Sequence, residues 1–294
     1  MTHCKYPDSS LCALDETQLF AKLADHTAAA ADRSADVDGI ARAQDLARQA
    51  RDILFSRGYL FDPNEKRKLQ FLDWNCAELK RGFFLSFEGI DGSGKSSQLQ
   101  CARLHLEASG VEVVVTREPG GTELAESIRG LFLGHVMSAH TEALLAFAAR
   151  RDHLERVIWP ALARGAWVLC DRYVDSTFAY QGGGRGLDTR IIEALAEWSI
   201  GDFEPNATFL FDVSTAAAQG RLSGRAWVDR IEAETAEFHS RVRDAFLARS
   251  VEWAHRFSVF NAEQEETFVR TEMLNELNLL LDRWQTRCNS GDFS

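Results

Sequence analysis

Gly89, Gly94, Lys95 and Ser96 stand at the fixed places of a G-x-x-x-x-G-K-[ST] pattern, within the run GIDGSGKS. Those residue types at that spacing make an anion cradle. Glycines let the backbone curl until several N–H groups aim at one point, an approach that a Cβ would block. In such a loop Lys95 reaches the β- and γ-phosphates of a nucleoside triphosphate and the Ser96 hydroxyl ligates Mg²⁺. The phosphate-binding set is then Gly89, Ile90, Asp91, Gly92, Ser93, Gly94, Lys95, Ser96 and Ser97. A chance glycine turn is the competing explanation, and the context speaks against it. An apolar strand-like run, FFLSF, precedes the turn, and a helix-like run, SSQLQCARLHLEA, follows it. The helix beginning near Lys95 adds free N–H groups and partial positive charge at the same point.

Positioning such a loop takes a sheet. Short apolar runs predict strands at 83–87, 112–116, 166–170, 208–212 and 257–260. Amphipathic runs predict helices at 98–108, 123–133, 141–164, 189–198, 215–222, 231–254 and 266–284. Strands alternating with helices imply an α/β fold, a five-stranded parallel sheet covered on both faces, with ligands at the carboxyl ends of its strands. The first three predicted strands end in EGIDGSGKS, TREPGGT and CDRY, so polar, glycine-bearing and charged chemistry gathers at one edge.

Residues 1–81 differ in character. Leu19, Phe20 and Leu23 lie at helical spacing within 15–31, and Ile40, Leu46, Ile53 and Leu54 form a similar stripe within 40–57. Asp62-Pro63-Asn64 predicts a turn, and 65–80 reads as a third helix with Leu69, Leu72 and Trp74. The expected organisation is a small all-α appendage at 1–81, a main domain at 82–286 and a tail at 287–294. Packing and partner binding are equally open roles for the appendage.

Bulk properties narrow the function. The chain has 294 residues, 45% of them hydrophobic, enough for a sizeable core. Its net charge of −11 argues against a general nucleic-acid surface. Six cysteines (Cys4, Cys12, Cys76, Cys101, Cys170, Cys288) lack C-x-x-C spacing and read as reduced thiols of a cytoplasmic protein. No apolar run approaches the roughly 20 residues that a membrane span needs.

From residue 83 to about 284 the chain resembles the bacterial thymidylate kinases. The match runs in order through FEGIDGSGKSSQ, TREPGGT, the AAR ending at Arg150, CDRYVDST, AYQGGGRG, GDFEPNATFLFDV, DRIE and FNAEQ. The resemblance implies a P-loop α/β/α fold with a lid at about 219–230. It also implies transfer of the ATP γ-phosphoryl group to the 5′-phosphate of dTMP. By the same resemblance Asp91 contacts the dTMP sugar, Arg117 and Arg172 clamp the acceptor phosphate, and Glu118 lies beside them. Asp171 joins Ser96 in holding Mg²⁺, and Arg221 and Arg225 of the lid face the transferring group. Arg150, Thr177, Tyr180 and Gln181 touch or wall the pyrimidine. For the charged strand ends a structural ion-pair network is the alternative role. ATP and a deoxypyrimidine monophosphate are the implied partners and a homodimer the implied assembly.

One departure stands out. The family usually stacks a phenylalanine on the base four residues before that arginine, and here the position is Ala146. Either Phe147 or Phe178 compensates, or the pocket suits a modified deoxyuridine monophosphate such as 5-hydroxymethyl-dUMP. A nucleotide-binding scaffold with weak turnover, acting through the appendage, is the alternative of another class.

Overall fold

The computed structural model describes residues 81–201, 203–222 and 229–290, together with Gln18, Lys22, Tyr59, Leu60, Leu69 and Gln70. The chain divides into two compact units, Met1–Trp74 and Asn75–Ser294, a boundary seven residues before the expected one. In the first unit Gln18 and Lys22 are helical, within the helix expected at 15–31. Tyr59–Leu60 pairs antiparallel with Leu69–Gln70. The expected helix at 65–80 is therefore corrected at Leu69–Gln70, and this appendage is not all-α. Asp62-Pro63-Asn64 between the two strands is a turn former that favours a hairpin over a helix start. The helix expected at 40–57 and that turn lie outside the described residues.

The second unit is built on β1, Phe83–Glu88, every residue of which is buried. A strand buried on both faces belongs in the middle of a covered parallel sheet, and β1 occupies the centre. The other strands are β2 (Val113–Arg117), β3 (Trp167–Asp171), β4 (Ala207–Asp212) and β5 (Phe257–Asn261), in the order β2-β3-β1-β4-β5. All pairings are parallel, so the five strands expected from sequence form one sheet. Asp171 is in register with Phe87 on one side and Arg117 on the other. That register brings the turn after β1, the end of β2 and the end of β3 to one edge.

Helices alternate with the strands: α1 (Lys95–Ala108), α2 (Glu123–Gly134), α3 (Ala139–His153) and α4 (Trp159–Ala163) precede β3 in the chain. After β3 come α5 (Val174–Thr177), α6 (Thr189–Ile200), α7 (Thr215–Leu222), α8 (Ala236–Glu252) and α9 (Glu266–Ser290). Thr122 and Ser138 cap α2 and α3 by accepting from Ala125 N and Thr141 N. The helix expected at 141–164 is interrupted by a wide turn at Leu154–Ile158. Pro160 lacks the N–H that a regular helix would direct at the preceding turn, and the wide turn absorbs that loss. α8 starts at Ala236, capped by Thr235, five residues later than expected. The chain before it is a turn held by Asp229, whose Oδ1 accepts from Ile231 N and Glu232 N.

A second wide helical turn, Phe178–Gly184, follows α5 where sequence reasoning sees only a glycine-rich motif. The glycines are there for close approach. A Cβ on Gly183 would lie 2.5 Å from Ala245 Cβ, and one on Gly184 2.5 Å from Phe238, both on α8. α9 runs four residues into the expected tail, with Leu277 and Leu281 buried. Trp284 meets Trp167 edge-on at 5.7 Å and donates from Nε1 to Arg81 O. Among the described residues no helix is long and apolar enough to cross a membrane.

Candidate active site

The loop between β1 and α1 curls as its glycines allow. Gly89, Gly92 and Gly94 have φ of 137°, 83° and 89°. At Gly92 a Cβ would also lie 2.5 Å from Ala218 O, so α7 sits directly against the loop. No side chain caps α1 and its first turn carries no acid, which leaves its N-terminal charge for an anion. Lys95 is buried, its Nζ donating to Gly89 O at 2.9 Å and Ile90 O at 3.0 Å. Burial first, and Arg172 second, lower its pKa to about 8. Ser96 and Ser97 are exposed at the helix start, whereas Ser93 is buried. From α7, Arg221 donates to Gly92 O at 3.3 Å and to Ala262 O at 2.7 Å. Arg225 lies outside the described residues.

Arg172 joins this cradle to a second cavity. Its φ of 73° is in the left-handed region that a bulky residue enters at a cost of ~1 kcal/mol or more. The surroundings over-determine that conformation. Its N–H bonds Phe87 O, while its guanidinium donates to Gly89 O at 2.9 Å, Ser176 Oγ at 3.2 Å and Asp91 Oδ1 at 2.6 Å. Tyr180 donates to Asp91 Oδ2 at 3.1 Å and lies under the guanidinium at 4.9 Å. Burial would raise the Asp91 carboxyl, but the charges of Arg172 and Lys95, with these hydrogen bonds, hold it well below the usual carboxylate range. Beneath the loop the buried Glu88 accepts from Tyr173 N and Ser176 Oγ, yet burial and the nearby Asp175 push its pKa up to about 8.

The cavity beyond Arg172 is lined by Asp91, Glu118, Arg129, Phe132, Ala146, Arg150, Arg172, Thr177, Tyr180, Gln181 and Ile231, among others. Arg150 forms its wall and is buried between the rings of Phe147 at 4.8 Å and Tyr173 at 5.2 Å. Its Nε donates to Glu118 Oε2 at 2.7 Å, and one terminal nitrogen to Thr177 Oγ1 at 3.0 Å and Tyr173 O at 3.2 Å. Its other terminal nitrogen is buried and has no hydrogen-bond partner among the described residues. Glu118 also accepts from His153, whose far nitrogen meets Thr116 Oγ1 at 2.6 Å. Glu118 and Thr177 thus hold Arg150 in place from behind.

Most of the residues singled out from sequence meet here, with some shifts. Arg117 turns to Glu126, in a pair whose side chains are 54% and 40% exposed, and does not line the cavity. Arg129 of α2 does line it, anchored on Pro119 O at 3.0 Å. Burial and then the charges of Arg117 and Arg172 lower its pKa, as in a group of cations gathered where an anion belongs. Nothing in its sequence context marks Arg129 except that it stands between the buried Ile128 and Phe132. Neither expected substitute for the missing aromatic faces the cavity. Phe147 packs under Arg150 and Phe178 under Arg249 at 4.0 Å. Phe132 lines the cavity instead, together with Ala146.

Oxygen ligands for a hard cation are present on the cradle side. Asp171 Oδ1, at the end of β3, is buried without a hydrogen-bond partner among the described residues, and Asp171 contributes to the field at Lys95. With the exposed Ser96 hydroxyl this donor set fits Mg²⁺, which prefers few protein oxygens and keeps several waters.

The family model described as thymidylate kinase matches residues 87–273. A thymidylate kinase of Burkholderia vietnamiensis is 53% identical over 190 residues, 63% of this chain and 92% of that protein. One of Chromobacterium violaceum is 47% identical over 209 residues, 70% of this chain and 99% of its own. Among solved structures, the thymidylate kinase from Ehrlichia chaffeensis matches with a TM-score of 0.56 at 38% identity. That match covers 67% of this chain and 98% of the other.

Proposed function

Because the chain belongs to the thymidylate kinase family, and so to the ATP-dependent nucleoside monophosphate kinases, we propose that it moves the γ-phosphoryl group of Mg-ATP to the 5′-phosphate of dTMP. The products are ADP and dTDP. The observation that carries this is the single residue Arg172, which lines the acceptor cavity and is bonded to the phosphate loop through Gly89 O and Asp91 Oδ1. A donor held in the loop and an acceptor held in the cavity would meet across it.

The acceptor oxygen is already ionised, so no strong base is needed, and catalysis comes from positioning and charge neutralisation. Lys95 would leave its two carbonyl partners for the donor phosphates. Arg172 and Arg129 would neutralise the acceptor phosphate. Arg117 would join them, since an exposed ion pair is worth ~1 kcal/mol or less and yields readily to a phosphate. Asp91, which stays ionised, fixes Arg172 and offers an acceptor to the sugar. Ser96 and Asp171 would hold Mg²⁺, which when bound supplies further neutralisation of the phosphate oxygens. The buried, unpartnered nitrogen of Arg150 suits a base carbonyl.

Phe132 beside Ala146 favours ordinary pyrimidine stacking, supplied from α2 in place of α3. The test is a substrate profile, with kcat/KM measured for dTMP, dUMP and 5-hydroxymethyl-dUMP at saturating Mg-ATP. The proposal expects dTMP to lead. A clear lead for 5-hydroxymethyl-dUMP would move the assignment to a modified substrate, and no turnover from folded protein would favour the scaffold.

A further inference from the structure

Glu142 on α3 is fully buried and plays no part in the mechanism above, yet three side chains from two other segments converge on it. Gln181 donates from Nε2 to its Oε2 at 2.9 Å. Arg230 donates to its Oε1 at 2.6 Å, and Arg185 approaches it at 3.3 Å. Each cation is itself held: Arg230 by Phe132 O at 2.8 Å, and Arg185 by Glu234 at 2.5 Å and the Phe238 ring at 4.8 Å. Every partner of Glu142 is a donor, so the carboxylate serves only as an acceptor.

We propose that Glu142 is a positioning residue that fixes the side-chain amide of Gln181, and thereby makes the acceptor cavity selective for a pyrimidine with an imide edge. The inference rests on the dTMP kinase assignment. A glutamine amide can turn over and exchange its oxygen for its NH₂. Against an acceptor-only neighbour it must direct the NH₂ at Glu142, so Gln181, which lines the cavity, has its acceptor oxygen turned away from Glu142 and fixed on one side of the amide. Arg150 lines the same cavity, and its nitrogen without a partner among the described residues is a donor. Donor beside acceptor matches O4 and N3–H of thymine or uracil. Cytosine presents the reverse order, an amine and an unprotonated N3, and meets donor with donor and acceptor with acceptor. Buried polar groups left unpaired are what give such sites large discrimination.

Glu142→Gln tests this, because a neutral amide at position 142 can accept or donate and releases Gln181 to turn. In full-length protein the ratio of kcat/KM for dTMP to that for dCMP is expected to fall at least tenfold. The loss should lie in KM for dTMP, with kcat at saturation within about twofold and KM for ATP unchanged. Gln181→Leu should lower the ratio as well, and Glu142→Gln added to Gln181→Leu should lower it no further. A merely structural role would depress dTMP and dCMP turnover together, and that unchanged ratio overturns the proposal. So does an unchanged ratio in Gln181→Leu, or an additive double variant. Should Glu142→Gln fail to fold, Glu142→Asp, which pulls the carboxylate back by one methylene, must show the same loss of ratio. Wild-type protein in the same assay separates the two levels: no dTMP turnover there defeats the kinase assignment, whereas turnover with an unmoved ratio defeats only the role of Glu142.

Discussion

Lys95 sits buried with its ammonium on two loop carbonyls, and its pKa near 8 follows from that burial and from the neighbouring Arg172. The sign for ligand binding is direct. The protonated amine is the form that grips phosphate, and it is lost as pH rises through about 8. If only that form binds, ATP affinity should weaken about tenfold from pH 7 to pH 9. Titration calorimetry with ATP across this range checks it, and Lys95→Met should abolish the pH dependence while lowering turnover about 100-fold or more. A flat profile in the wild type would show that Lys95 is not the titrating contact. Arg129 and Arg117 make a second contrast at this scale. Arg129 lines the cavity and Arg117 pairs with Glu126 outside it. Steady-state kinetics should give Arg129→Ala a KM for dTMP raised about tenfold or more, and Arg117→Ala a smaller rise, with KM for ATP spared in both. Conserving the ATP term is the decisive part, since a general loss of fold would move both constants.

Among the elements, α2 carries the largest revision. Its apolar spacing predicts a sheet-covering helix, whereas it packs chiefly on α3 and delivers Arg129 and Phe132 to the acceptor cavity. Those two positions were not legible as site residues. A helix lining a pocket has the same alternation of buried and exposed positions as one lining a core, and sequence periodicity cannot tell the two apart. The phosphate loop, by contrast, was legible almost residue by residue, because positive φ and close approach admit only glycine at fixed spacing. The helical turn at Phe178–Gly184 was hidden for the converse reason: a run of three glycines carries no apolar periodicity, while here Gly183 and Gly184 admit α8. If Phe132 supplies the stacking surface that Ala146 lacks, Phe132→Ala should cost dTMP affinity about 1–3 kcal/mol, the range for a base on an aromatic ring. Calorimetric dTMP binding measures it. A loss no greater than that of Leu133→Ala would remove Phe132 from that role.

At the scale of the molecule, the family match occupies 87–273, inside the unit Asn75–Ser294. The relatives are covered over 92% and 99% of their own length by alignments of 190 and 209 residues, so they reach their fold without a counterpart of most of the first unit. A chain beginning at Asn75 is therefore expected to keep kcat for dTMP within about twofold. A large loss, checked by the same assay, would tie the first unit to turnover. The sequence made the sheet, its order of motifs and the shared strand edge plain. It did not disclose how the charges pair, because Arg117–Glu126 and Arg150–Glu118 depend on which chain segments the fold brings together. In the proposed reaction one phosphoryl group passes between two nucleotides held on either side of Arg172. The most direct test is a product count by ³¹P NMR, with full-length protein, Mg-ATP and dTMP in equal amounts. Transfer between the two nucleotides yields dTDP and ADP in equal amounts with no inorganic phosphate, whereas ADP accumulating with phosphate but without dTDP would rule it out.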